Sequence, residues 1–174
     1  MRSFLAVCCF LVCLGAEARP QYNEFLNSTT DIKILVFLSA KCPCSQSHVS
    51  HLNELKTTFS EFSFFGVITD SEKDLENVAV EEYFSSNRFQ FPIIEDKGQV
   101  LVKKFNALKT PHVVLVQKSM SGSYEIVYEG GVSDNRDFDK SRVHYLAEDL
   151  RALKKGLKAP YREGKSLGCY IRRF

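Results

Sequence analysis

Apolar positions in this 174-residue chain fall into blocks whose spacing switches between that of strands and that of helices. Ile32-Lys33-Ile34-Leu35-Val36-Phe37-Leu38 is a nearly unbroken apolar run rich in β-branched residues, which predicts a strand buried on both faces. Val49, Leu52, Leu55, Phe59 and Phe62 recur at helical spacing and predict an amphipathic helix over 48–62. Residues 62–69 read as a second apolar strand, 72–86 as helix by composition, 92–94 as a short strand ahead of a Gly98 turn, and 100–105 as a short helix. A third buried strand is expected over 110–116 with Pro111 at its entrance, and 124–128 pairs with it as a hairpin across Ser121-Gly122-Ser123. The pattern closes with a helix over 137–155 and an irregular, flexible tail. Residues 19–30 are polar and turn-rich and read as a leader into the first strand. No internal repeat or low-complexity segment interrupts the order.

The first apolar block differs in kind. Arg2 supplies a basic start, residues 4–15 an apolar core, and Ala16-Glu17-Ala18 the small-x-small form of a signal-peptidase site, so 1–18 reads as a signal peptide. The core is too short to span a bilayer, and no other stretch approaches the roughly 20 apolar residues a span needs. The expected product is exported, to a periplasm or out of the cell, with one domain over 19–160 and a tail over 161–174. Cleavage removes Cys8, Cys9 and Cys13 and leaves Cys42, Cys44 and Cys169. An odd, sparse set in an oxidising compartment points to chemistry rather than to a disulfide scaffold.

Charge is divided along the chain. From residue 151 onward eight Lys/Arg stand against Glu163 alone, whereas 19–150 carries fourteen basic and nineteen acidic residues. A basic tail on an acidic body, with no arginine-rich segment, is not a nucleic-acid signature.

The thiol with the most telling position is Cys42. The buried strand ends in Ser39-Ala40-Lys41, and Cys42-Pro43 then opens a helix. Free N–H groups and the positive end of the helix dipole favour a thiolate there, and Pro43 suits the first helical position because its missing N–H would have had no partner. Lys41 adds positive charge beside it.

The Cys42-Pro43-Cys44-Ser45 site, Thr110-Pro111, the Tyr128-Glu129-Gly130-Gly131-Val132-Ser133-Asp134 stretch and the closing Gly168-Cys169-Tyr170-Ile171 together resemble exported thioredoxin-like redoxins near the alkyl hydroperoxide reductase/thiol-specific antioxidant branch. The resemblance implies an α/β thioredoxin-like fold, a central mixed β-sheet flanked by helices, which agrees with the order of predicted elements. It implies a thiol–disulfide oxidoreductase acting on protein thiols or disulfides, or on a redox partner protein, and needing no cofactor. Thr110-Pro111 matches the cis proline that lets the backbone beside it approach a bound thiol or disulfide. Cys42 would be the nucleophile. Ser45 stands where thioredoxins carry their resolving cysteine, so resolution falls to Cys44 or Cys169.

Other chemistries use the same residues. Cys42, Cys44 and His48, with His51 near in sequence and His112 beside Pro111, are donors suited to Cu(I) or Zn. Against this, His48 lies on the apolar helix face as a core residue would, and His51 reads as solvated. A peroxidase would use a hydroxyl three residues before its cysteine, where Ser39 stands, but Leu35 replaces the expected proline, and Arg136 and Arg142 are arginine candidates by composition alone. A redoxin domain that only docks a partner through its basic tail is the non-enzymatic alternative.

Overall fold

The computed structural model describes residues 20–85 and 88–173; the expected signal peptide lies outside them. The elements run α1 (Pro20–Asn27), β1 (Ile32–Leu38), α2 (Pro43–Thr58), β2 (Ser63–Ile68), α3 (Glu72–Leu75), α4 (Val78–Ser85), β3 (Ile93–Glu95), α5 (Val100–Lys104), β4 (Lys109–Thr110), β5 (His112–Lys118), β6 (Tyr124–Gly130), α6 (Tyr145–Lys154) and β7 (Cys169–Tyr170). Five strands form one mixed sheet in the order β3-β2-β1-β5-β6. β1, β2 and β3 run parallel, and β5 and β6 are antiparallel to their neighbours. β4 and β7 pair separately.

β1 is central because every one of its residues is buried. Its alternate side chains feed two cores. Ile34, Val36 and Leu38 join Leu52 and Leu55 of α2 and Leu146 and Leu150 of α6 on one face. Leu35 and Phe37 meet Leu101 and Val102 of α5 and Phe25 of α1 on the other. Truncating a fully covered leucine such as Leu52 to alanine costs about 2–5 kcal/mol. The sheet is thus clamped between two helical layers, and the carboxyl end of β1 is held where α2 must start.

Several elements depart from the sequence pattern. The segment expected as a leader contains α1: Pro20 opens it, Phe25 packs edge-on against Phe65 at 5.4 Å, and the buried Lys33 Nζ donates to the Phe25 carbonyl at 2.9 Å. That ammonium satisfies a carbonyl that the end of the helix leaves free. The single helix expected over 72–86 is two. Ser71 and Asp74 form a capping box for α3, and the Asn77 side chain accepts from the Ala79 N–H at 3.0 Å, starting α4 afresh. The strand expected over 110–116 is split at Pro111, which follows a cis peptide bond and separates β4 from β5.

The last helix begins at Tyr145, later than expected. Ahead of it the Asp134 carboxylate accepts from the N–H groups of Arg142 and Val143 at 2.9 and 3.1 Å, and Phe138–Lys140 forms a 3-10 turn. This strap crosses α2, where the Ser47 hydroxyl donates to the Arg136 carbonyl at 3.1 Å and Phe138 stacks on His51 at 4.0 Å. His51, expected in solvent, is therefore buried, and burial first, then His144, pulls its pKa down to about 4.

The tail, expected to be irregular and flexible, is fastened along its length. Gly164 N–H donates to the Glu129 carbonyl at 3.0 Å, and Ile171 N–H donates to the Leu108 carbonyl at 2.9 Å. Between these anchors Ser166 Oγ is 2.8 Å from His112 Nδ1, and beyond them Gln99 Nε2 donates to the Arg172 carbonyl at 2.7 Å. Gly130, at φ +149°, lies directly against the Gly164 carbonyl, a close approach that excludes a Cβ.

Candidate functional site

Cys42 is the residue before α2, with extended φ and ψ of −99° and 109°, and Pro43 takes the first helical position. The loop ahead of it is held by Asp70, whose carboxylate accepts from Ser39 Oγ at 2.7 Å and from the Ala40 N–H at 2.9 Å. Lys41 pairs with Asp74. Cys42 is fully covered, and its Sγ lies 3.1 Å from the carbonyl oxygen of Thr110, the residue before the cis proline.

From the other side, β7 places Cys169 opposite Thr110 and Tyr170 opposite Lys109 in an antiparallel pair. The sulfurs of Cys42, Cys44 and Cys169 all lie within 4.8 Å of one another, and all three thiols are free. Cys42 is buried and Cys44 half-buried, and Cys169 is exposed as a residue with its sulfur partly covered by the other two. A cleft of about 190 Å³ opens beside Cys169, lined in part by Lys41, Asp70, Asp74, Thr110 and Arg172.

The three thiols differ in acidity. Burial pushes Cys42 up, but hydrogen bonds from the Cys169 thiol, from the Thr110 side chain and from the backbone N–H groups of Ser45 and Cys169 outweigh it and bring the group down to about 7. Burial of its sulfur and then hydrogen bonding and charge at Cys42 push Cys169 up to about 12. Cys44 is also raised, by burial and then by Cys42, with Arg136 acting in the opposite direction. Of the three, Cys42 is the thiol that ionises first.

Not every residue singled out in the sequence joins this group. Ser45 is buried, but its hydroxyl accepts from the Ser39 N–H at 3.3 Å, and it is the Ser45 backbone that serves Cys42. His48 Nδ1 donates to the Cys44 carbonyl at 2.7 Å, which leaves Nε2 to accept from the Ser133 hydroxyl at 2.9 Å. Burial lowers its pKa. His112 Nδ1 meets Ser166 rather than a cysteine, and burial takes its pKa down to about 4. Ser39, the hydroxyl of the peroxidase reading, is committed to Asp70. Nothing in the sequence points to Asp70, whose role depends on where β2 ends, or to the charge that Arg136 brings to Cys44.

The sheet order, a cysteine ahead of α2 and a cis proline facing it define a thioredoxin-like fold. Solved structures agree on that fold. A hypothetical protein of Sinorhizobium meliloti is similar at a TM-score of 0.69 and 21% identity, covering 84% of this chain and 81% of its own. An uncharacterized conserved protein of Geobacillus kaustophilus gives 0.71 and 20%, over 83% and 78%. A thioredoxin-like protein of Porphyromonas gingivalis gives 0.55 and 16%, over 78% and 83%. The chain belongs to the AhpC/TSA family, whose model matches residues 21–132. A comparison with curated proteins gives no match. No helix among the described residues is long and apolar enough to cross a membrane.

Proposed function

We propose that the protein is an exported thiol–disulfide oxidoreductase, periplasmic or secreted, whose redox pair is Cys42 and Cys169. The observation that carries this reading is the apposition of a covered, acidic thiol ahead of a helix with an exposed thiol held against it by a fastened tail. Family membership supports thiol chemistry in general, and the leader-like sequence of residues 1–18 supports export.

Exposure assigns the roles. In the oxidised protein Cys42 and Cys169 share a disulfide, and Cys169 is the sulfur facing the cleft. A partner thiolate attacks Cys169 Sγ, the Cys42–Cys169 bond breaks, and Cys42 leaves as a thiolate. Its lower pKa makes it the better leaving group. The partner's second thiol, deprotonated, then attacks the partner sulfur of the mixed disulfide. Cys169 departs and takes up a proton. The partner gains a disulfide, losing two electrons, and the protein gains two thiols.

Reduction of a partner disulfide runs the same path backwards. Cys169 passes its proton to the neighbouring Cys42 thiolate as it opens the disulfide, the released partner sulfur takes that proton from Cys42, and the Cys42 thiolate so restored attacks Cys169 to expel the second partner sulfur as a thiolate. Thr110 and Pro111 hold Cys42 and the tail in register throughout.

Exchange with a dithiol peptide and its disulfide, followed in both directions, tests the reading. Cys42→Ser and Cys169→Ser should each lose turnover by at least 100-fold while staying folded, and Cys42→Ser should accumulate partner on Cys169. Full turnover in Cys42→Ser, or partner attached to Cys44, would overturn it.

A further inference from the structure

The exchange cycle uses two thiols, yet the fold brings three together. Cys44 sits in the first turn of α2, one residue beyond Pro43, and its sulfur lies within 4.8 Å of both others. The trio is built rather than incidental. Cys42 and Cys44 come from one helix start, and Cys169 arrives on a strand pinned to β4, where Gly168 fits against the Thr110 carbonyl and a Cβ there would lie 3.5 Å from that of Cys44.

We propose that, in its reduced form, this trio is a three-sulfur site for copper(I). Thiolates are soft donors and select Cu(I), Zn or iron–sulfur clusters over hard cations. Zinc completes a tetrahedron with a fourth ligand, and the group found among the described residues is three sulfurs with no histidine or carboxylate. Of the histidines that the sequence offered as ligands, His48 is engaged through both ring nitrogens, with the Cys44 carbonyl and Ser133, and His112 bonds Ser166 through Nδ1 and lies outside the three-sulfur group. Three sulfurs with no fourth protein donor among the described residues fit a trigonal monovalent ion, whereas zinc here would need a water from the cleft as its fourth ligand.

Charge and exposure agree with that assignment. Binding releases the thiol protons and forms three Cu–S bonds without electron transfer, leaving a doubly negative complex. The backbone N–H groups of Ser45 and Cys169 face Cys42, and Arg136 acts on Cys44, so part of that charge is met by the protein. Cys169 is exposed, which gives the ion an entrance from the neighbouring cleft. The inference does not depend on the exchange reading, because the two forms of the trio are alternatives: oxidised to a disulfide, or reduced and able to hold metal.

The test uses the mature protein, fully reduced under anaerobic conditions and titrated with Cu(I) against a chromogenic Cu(I) chelator. One copper should bind per chain, and its X-ray absorption should give three sulfur neighbours. Cys44→Ser keeps Cys42 and Cys169 and should lower copper affinity at least tenfold, with circular dichroism confirming that it is folded. Copper held equally well by Cys44→Ser, coordination by two sulfurs, or preference for zinc under the same competition would each overturn the proposal. Dithiol exchange by metal-free protein is measured separately, so loss of either property leaves the other readable.

Discussion

Gly168 lies so close to the carbonyl of Thr110 that no side chain fits between them. The contact is backbone against backbone, so neither partner can yield by changing rotamer. Gly168→Ala should push β7 off β4, costing about 1–3 kcal/mol of stability. Cys169, freed from Cys42, should then be alkylated several-fold faster than in the parent protein. An unchanged melting temperature together with unchanged Cys169 reactivity would show that the tail is not held in this way.

A Cys42–Cys169 disulfide would join residues from opposite ends of the described fold. Closing a loop of more than a hundred residues removes chain entropy from the unfolded state and stabilises by about 4–5 kcal/mol. For a domain of this size that corresponds to a rise in melting temperature on the order of 10 °C. Thermal melts of oxidised and reduced protein measure it. Equal melting temperatures in samples whose redox state is verified by mass would count against the pairing.

Asp149 carries a second, pH-dependent lever on the tail. Its carboxylate is fully covered and accepts from the Tyr161 N–H at 2.9 Å, while Oδ2 has no hydrogen-bond partner among the described residues. Burial raises its pKa to about 6 from 3.8, with the Tyr161 bond opposing and Glu148 adding to the rise. The folded state therefore holds this proton more tightly than the unfolded state. The group's contribution to stability is full below about pH 4 and is lost as pH climbs to about 6, at a cost of up to about 3 kcal/mol. Asp149→Asn keeps the acceptor for Tyr161 and should raise stability at pH 7 by about 1–3 kcal/mol. Denaturant melts at pH 4 and pH 7 should show the gain at the higher pH only.

Ser45 separates a side chain from a backbone role. Its hydroxyl accepts from Ser39, whereas its N–H serves Cys42. Ser45→Ala should cost about 1 kcal/mol by leaving the half-buried Ser39 N–H unpaired. The Cys42 alkylation rate at neutral pH should change little. A large drop in that rate at equal stability would place the hydroxyl itself on the sulfur.

The central strand and the cysteine-bearing helix were legible because both are written in local pattern. Ile32–Leu38 is apolar throughout, and Cys42-Pro43 is a helix-start signature that needs no tertiary knowledge. Phe25 was harder to read, since a single buried aromatic and a lysine reaching back from β1 hold a helix whose composition is polar. His51 was misplaced for a related reason: its cover is Phe138, far along the chain and on a strap rather than in a regular element. The trio of sulfurs shows the same limit. His48 and His112 are near Cys42 in sequence or motif, but the third sulfur comes from β7, whose two residues pair only because Lys109–Thr110 leaves an edge open. Short pairings between distant segments leave no periodic trace.

In the proposed cycle, the short reach between Cys42 and Cys169 also sets which partners can complete oxidation. Once a partner is attached to Cys169, the Cys42 thiolate is already in place to throw it off, as a tethered nucleophile acts at high effective concentration. A monothiol partner is returned as it came. Only a molecule carrying a second thiol equally close at hand can win that race and depart oxidised. On the proposed cycle the apposition of the two sulfurs is a kinetic sieve, passing dithiols and rejecting single thiols without any shape-selective surface.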